Sequence, residues 1–152
     1  MNGNDNHGPA GHPVDVTTLP VIPVRVNLGG SVVAIDAVTG KSRLRYVPGE
    51  HRRNPVGTIF GGYLAAIVDD AAGITAWFGG GKRRFATAQM TVNFLRPVKP
   101  GDELLADNTV VEITERQVVV DVSIRRVVDD KLVVTGRVHQ TYLRVPPAEP
   151  AR

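Results

Sequence analysis

The sequence predicts an α+β domain in which a long, curved antiparallel β-sheet wraps around one central α-helix. Three observations carry that expectation. Branched residues dominate, with 25 Val and 7 Ile against 9 Leu, a bias toward side chains that fit a pleated sheet. A single segment, about residues 60–78, has strong helical character. The apolar runs around it are separated by short turns, which join antiparallel strands. One helix between a hairpin and a set of long strands is buried most economically when the sheet curls around it.

The elements follow in order. Four of the eleven prolines precede Val24 and three lie in the last seven residues. Residues 1–23 and 146–152 are therefore expected to be disordered ends of a single domain over 24–145. His7 and His12 in this polar lead read as solvated tail residues rather than metal ligands. A hairpin opens the body, with Ser31 to Ile35 and Lys41 to Val47 joined by a turn through Asp36 to Gly40. A loop from Pro48 to Thr58 precedes the helix, which Gly79-Gly80-Gly81 closes. Strands follow at about 85–95, 103–113, 117–127 and 131–144. Their turns fall at Pro97 to Gly101, Glu115-Arg116 and Asp129-Asp130, and the expected order is a meander. In the third of these strands Val118, Val120, Val122 and Ile124 alternate with Val119, Asp121, Ser123 and Arg125, so one face is apolar and the other mixed.

Composition narrows the function. With 152 residues, the chain can bury a core without staples. It has no cysteine, which excludes a disulfide framework, a thiolate metal site and a cysteine nucleophile. Four histidines without paired spacing leave no metal constellation. The net charge of +3 suits an anionic small ligand. Nucleic-acid binding is not expected, because no helix-turn-helix, aromatic RNP pair or zinc finger is present. No apolar run reaches about 18 residues, since Ile59 to Phe78 carries two aspartates. The first residues lack the basic start and apolar run of a signal peptide, so a cytoplasmic protein is expected.

The helix carries the strongest functional signal. Phe60, Leu64, Val68, Ala71, Thr75 and Phe78 form an apolar stripe. Beside it runs a second stripe of Gly62, Ala65, Ala66, Asp69, Ala72, Gly73 and Ala76. Every member but Asp69 is Gly or Ala, so another backbone or a ligand can approach there. A carboxylate on such a face must be hydrogen-bonded, paired or functional. Asp70, about 100° away, keeps the simpler reading of a cap or a solvent-facing carboxylate. Gly61-Gly62 serve either close packing or exposure of backbone N–H groups at the positive end of the helix dipole.

Taken together, Asn54-Pro55-Val56-Gly57-Thr58-Ile59-Phe60-Gly61-Gly62 followed by Asp69 and Asp70 resembles the hotdog-fold acyl-CoA thioesterases of the phenylacetate-pathway (PaaI-like) group. Their pattern is an asparagine, then Gly-x-x-His-Gly-Gly, then an aspartate eight residues after the first of the paired glycines. Thr87 to Gly101, which contains Phe94-Leu95-Arg96-Pro97-Val98, is similar to the family's "FLRPV" strand end. The likeness spans roughly residues 30–144. It implies a hotdog fold and hydrolysis of an acyl-CoA thioester by a homodimer or homotetramer, with coenzyme A as part of the substrate and no cofactor or metal. By the same likeness, Asp69 of one subunit is the general base or nucleophile. The Gly61 N–H of the facing subunit holds the oxyanion, Asn54 holds the carbonyl or water, and Thr87 positions water. Coenzyme A lies along Phe94, Leu95, Arg96 and Lys99 and the hairpin at Thr114 and Arg116.

One position departs from the pattern: Phe60 stands where the family has histidine. Phe60 and Gly62 then become walls for the acyl group, and an apolar aliphatic or aromatic acyl-CoA is the expected substrate. The same departure motivates the alternative of a non-hydrolytic acyl-CoA-binding module, a sensor or carrier. A hydratase is set aside, since Gly73-Ile74 occupy the stretch where its histidine would stand. A serine hydrolase is set aside too, because no Gly-x-Ser-x-Gly elbow is present. His51 reads as a surface loop residue and His139 as structural. Lys82-Arg83-Arg84, Arg52-Arg53 and Arg125-Arg126 read either as phosphate contacts or as solvated turn charges, the latter favoured for each group alone.

Overall fold

The computed structural model describes residues 13–144. The segment 1–12, with His7 and His12, and the tail 145–152 lie outside the described residues. The elements are a short helix α1 (Pro23–Asn27), strands β1 (Gly30–Asp36) and β2 (Lys41–Tyr46), and the long helix α2 (Gly61–Gly79). After them come β3 (Phe85–Phe94), β4 (Leu104–Ile113), β5 (Gln117–Arg126) and β6 (Lys131–Tyr142). The six strands make one antiparallel sheet wrapped around α2, which is the hotdog arrangement.

The sheet order is β1-β2-β4-β5-β6-β3, which corrects the simple meander. Strands β4, β5 and β6 do follow one another through short turns. Strand β3 does not pair with β4; it pairs with β6 at the far edge, with Phe85 opposite Tyr142 and Phe94 opposite Val134. The reason is occupancy. Both edges of β4 are taken, one by β2 and the other by β5, so the chain after Phe94 must cross over before it can enter β4.

The start of the chain supplies a second correction. Of the segment expected to be a disordered lead over 1–23, residues 13–22 lie against the body. Pro13 bridges to Asp36, the Val14 N–H donates to the Ile35 carbonyl at 2.9 Å, and Asp15 caps a 3-10 turn at Val16–Thr18. Val14 and Leu19 pack on the core. An uncovered β1 edge would present free N–H and C=O groups, and this strap covers part of it. Proline at the first position of α1 suits a helix start, where its missing N–H costs nothing.

Helix α2 sits close on the sheet. A Cβ on Gly136 would lie 2.5 Å from Val68 Cγ1, so β6 passes beneath the helix only because that residue is glycine. Leu44, Ile67, Val68, Leu104, Val120 and Ile124 are fully buried in the layer between helix and sheet. The alternation expected in β5 holds on its apolar face, where Val118, Val120, Val122 and Ile124 are all buried. Among the described residues, no helix is long and apolar enough to cross a membrane.

Candidate functional site

The two adjacent aspartates of α2 have opposite surroundings. Asp69 is half-buried and accepts a hydrogen bond from Thr87 Oγ1 at 2.7 Å. Thr87 lies at a break in the ladder, since the β3–β6 register shifts between Thr87 and Gln89. Such bulges re-aim side chains beside functional sites. Around Asp69, Ala65, Ala66 and Gly73 are only half-buried and Gly62 is exposed. This part of the small-residue stripe is the open side of the helix, whereas Ala72 and Ala76 are buried in the core.

Asp70 is not a solvent-facing carboxylate, and this corrects its simpler reading. Arg25 Nε and Nη2 donate to its two oxygens at 3.0 and 2.9 Å, and the Tyr46 hydroxyl donates to Oδ2 at 2.7 Å. Burial, followed by the neighbouring Asp70 charge, pushes the Tyr46 phenol far above its ordinary value, so it remains a donor. The two aspartates differ because a 100° step moves a side chain from the open stripe to the face covered by α1 and β2. Arg25 was not recognisable as a partner because it lies 45 residues away in the chain.

At the start of α2, Phe60 is the N-cap in extended conformation and its side chain makes no capping hydrogen bond. The Phe60 carbonyl accepts from the N–H groups of Tyr63 and Leu64. The N–H groups of Gly61 and Gly62 have no acceptor among the described residues. Two rings flank these glycines. A Cβ on Gly62 would lie 2.5 Å from Phe60 Cε2, and one on Gly61 would lie 3.4 Å from Phe94 Cζ. A groove of about 290 Å³ runs from there, lined by Gly61, Leu64, Phe94, Leu95, Arg96 and Pro97 among others. Arg96, one of its lining residues, donates from Nη1 to the Leu132 carbonyl at 2.6 Å, and Lys99, just past the lining residue Val98, is exposed.

Asn54 is committed to its own loop. Its Oδ1 accepts the N–H groups of Val56 and Thr58, each at 3.1 Å, and its Nδ2 donates to Thr58 Oγ1 at 3.0 Å. The second amide hydrogen has no acceptor among the described residues. Asn54 thus shapes the entry to α2, whatever else it contacts.

The residues expected to hold coenzyme A fall into two separated sets. Thr114 and Arg116 form the β4–β5 turn, where Thr114 Oγ1 accepts the Arg116 and Gln117 N–H groups. Arg116 faces a groove of about 800 Å³ shared with Lys82, Arg83, Arg84, Glu115 and Arg144. This basic groove lies at the Phe85 end of β3, and the Leu95–Lys99 segment leaves the other end, about 30 Å along a ten-residue strand. The other basic pairs have partners within the chain. Arg126 holds Asp129 and the Pro97 carbonyl, Arg125 the Asp130 carbonyl, Arg52 the Asn27 carbonyl, and Arg53 pairs with Glu50. His51 is exposed in its loop, and His139 lies half-buried in β6.

One residue at the site was missed. Gln140 is fully buried, and neither its Nε2 nor its Oε1 has a partner among the described residues. It sits opposite Thr87 in the ladder, with Nε2 3.9 Å from where a Cβ on Gly73 would be. A signal existed in the sequence: Gln140 is the polar member of the buried phase Val134, Gly136, Val138, Tyr142.

Gly61 and Asp69 are eight residues apart on one helix, which separates the free N–H from the carboxylate by about 12 Å. That distance is longer than one small reacting group and a single water can bridge.

Comparison with known proteins gives a family. The thioesterase superfamily model matches residues 56–133. A phenylacetic-acid-degradation-related protein from Ralstonia eutropha is 27% identical, with TM-score 0.74, over 81% of this chain and 92% of that one. The Escherichia coli PaaI protein of the phenylacetic acid degradation operon is 21% identical, with TM-score 0.71, over 81% and 86%. A Streptococcus mutans protein bound to acetyl-CoA is 23% identical, with TM-score 0.69, over 75% and 88%. The last two likenesses are ones of fold. Comparison with curated proteins gives no match.

Proposed function

This chain belongs to the thioesterase superfamily, and from that premise we propose that it hydrolyses the thioester of an apolar aliphatic or aromatic acyl-CoA to the free acid and coenzyme A. The observation that carries the reading is the half-buried Asp69 carboxylate, held by Thr87 on the one open, small-residue side of α2. Asp69 serves as general base or nucleophile. As a base it takes a proton from water while the water oxygen bonds to the thioester carbon. The negative charge that forms on the carbonyl oxygen rests on the uncapped Gly61 N–H, where the helix dipole assists. When the tetrahedral species collapses, the C–S bond breaks, the coenzyme A thiolate leaves and the proton passes from Asp69 to solvent or sulfur.

The 12 Å separation leads to a homodimer or dimer of dimers. Strand β3 is an edge strand of ten residues whose outer side has no partner among the described residues, and such edges are paired or covered in native proteins. Two copies of β3 joined antiparallel about their midpoint bring the Phe94 end of one beside the Phe85 end of the other. The Gly61 N–H of one subunit then approaches the Asp69–Thr87 pair of the other, and the basic groove with Arg116 approaches the Phe94–Lys99 segment. One coenzyme A then spans both sets of expected contacts. Equilibrium sedimentation is expected to give a dimer or tetramer with activity confined to it, and an active monomer at micromolar concentration would refute the arrangement.

Phe60 shapes specificity. A phenyl ring neither donates nor accepts a proton, but it excludes water and strengthens the nearby N–H donors for a developing oxyanion. Across a panel of acyl-CoAs, free-thiol release is expected to rise with apolar acyl area, with aromatic and medium-chain groups ahead of succinyl or acetoacetyl. Phe60→His is expected to retain activity, because the family motif already accommodates histidine there. The same departure at Phe60 favours one second reading, an acyl-CoA-binding module. Binding of acyl-CoA without thiol release in both wild type and Phe60→His would select it.

A further inference from the structure

A cleft of about 460 Å³ lies between α2 and the strap that precedes α1, lined by Leu19, Ile22, Gly73, Ile74, Trp77 and Phe85 among others. We propose that this cleft receives the acyl group of the substrate, so that the strap residues Leu19 to Ile22 and the helix residues Gly73 and Trp77 set acyl selectivity. The inference rests on the thioesterase reading and adds to it where the acyl chain goes.

The first support is distance. Gly73 is four residues beyond Asp69 on the same face of α2, about 6 Å away. Phe85 is two residues before Thr87 on the same face of β3, about 7 Å away. Both lines lead from the hydrogen-bonded pair Asp69–Thr87 directly into the cleft. The second is the neck between them. A Cβ at Gly73 would meet Phe85 Cζ at 4.0 Å and Gln140 Nε2 at 3.9 Å, both ordinary contact distances, so a methyl group just fits there and a branched side chain would crowd the approach from Asp69 to the cleft. Behind this neck stands the fully buried Gln140 amide, with neither polar atom paired among the described residues.

The third support is chemical character. Apart from one ion pair the lining is apolar, and that pair, Arg25 with Asp70, is bidentate and mutually neutralised. A cleft of this kind offers no free charge to a succinyl carboxylate and takes a ring or a medium-length chain. Its volume lies within the usual range of about 300–1,000 Å³ for small-molecule sites.

The sole tryptophan of the chain, Trp77, lies in the cleft and reports on it. Coenzyme A and its S-butyl, S-octyl and S-decyl thioethers, which cannot be hydrolysed, are titrated into the full-length protein by calorimetry and by tryptophan fluorescence. Affinity is expected to rise at least tenfold from butyl to octyl, with a blue shift of Trp77 emission that coenzyme A alone does not produce. Gly73→Val should abolish both the length dependence and the shift, and Ile22→Ala should move the preferred length. Thioether affinity independent of chain length overturns the proposal. So does a Trp77 signal that follows protein dilution instead of ligand, which would make the cleft an interface between copies. Absence of thiol release from any acyl-CoA would count against the hydrolytic reading alone, because the thioether measurements do not depend on turnover.

Discussion

Asp69→Asn is expected to fold and assemble as the wild type does and to lose turnover by about three orders of magnitude or more, on the order of 4 kcal/mol of barrier. The substitution is close to isosteric, and Thr87 Oγ1 still finds an oxygen to donate to. Asp69 is half-buried on the open side of α2 and outside the packed core, so little stability depends on its charge. What the amide cannot do is take a proton from water or attack a carbonyl. The check is thiol release from the best acyl-CoA of the panel, alongside circular dichroism and sedimentation of the variant. Turnover within a few-fold of wild type would remove Asp69 from the chemistry.

Asp70→Ala should do the reverse, lowering stability by about 3–5 kcal/mol, or about 10–20 °C in midpoint for a domain of this size. The carboxylate is 6% exposed and the Arg25 side chain 11%. Removing Asp70 strands a guanidinium and the buried Tyr46 hydroxyl at once, and an unpaired buried charge is the costly half of such a pair. Helix α1 is held to α2 through this contact, so the loss should appear first as loosening of the strap and α1 in hydrogen exchange. Replacing both partners, Asp70→Leu with Arg25→Met, should recover much of the loss, since apolar substitution of a whole buried pair is often near neutral. Activity per folded molecule of Asp70→Asn should far exceed that of Asp69→Asn. Equal losses in the two would mean that the carboxylates act as one unit.

The sequence by itself determined the elements and the candidate carboxylate. Strand period, the Val and Ile excess and the glycine runs are local signals. Accordingly α2 and the six strands lie within a residue or two of their expected positions, from Lys41 at the start of β2 to Gly79 at the end of α2. The stripe of Gly and Ala around Asp69 is likewise a property of helical spacing, readable without coordinates. Only the tertiary structure decided what depends on contacts distant in the chain. Which edge β3 occupies was settled by β2 having taken the edge of β4, a competition that no strand encodes alone. The partner of Asp70, Arg25, stands just past a proline-rich segment that reads as tail until Val14 and Leu19 find apolar surface to cover. Gln140 looks like one polar residue on a strand until packing leaves its amide without a partner among the described residues. Local periodicity fixes which face a side chain takes, because that follows from the geometry of its own element. What waits on that face is set by residues dozens of positions away, and only the folded chain brings them together.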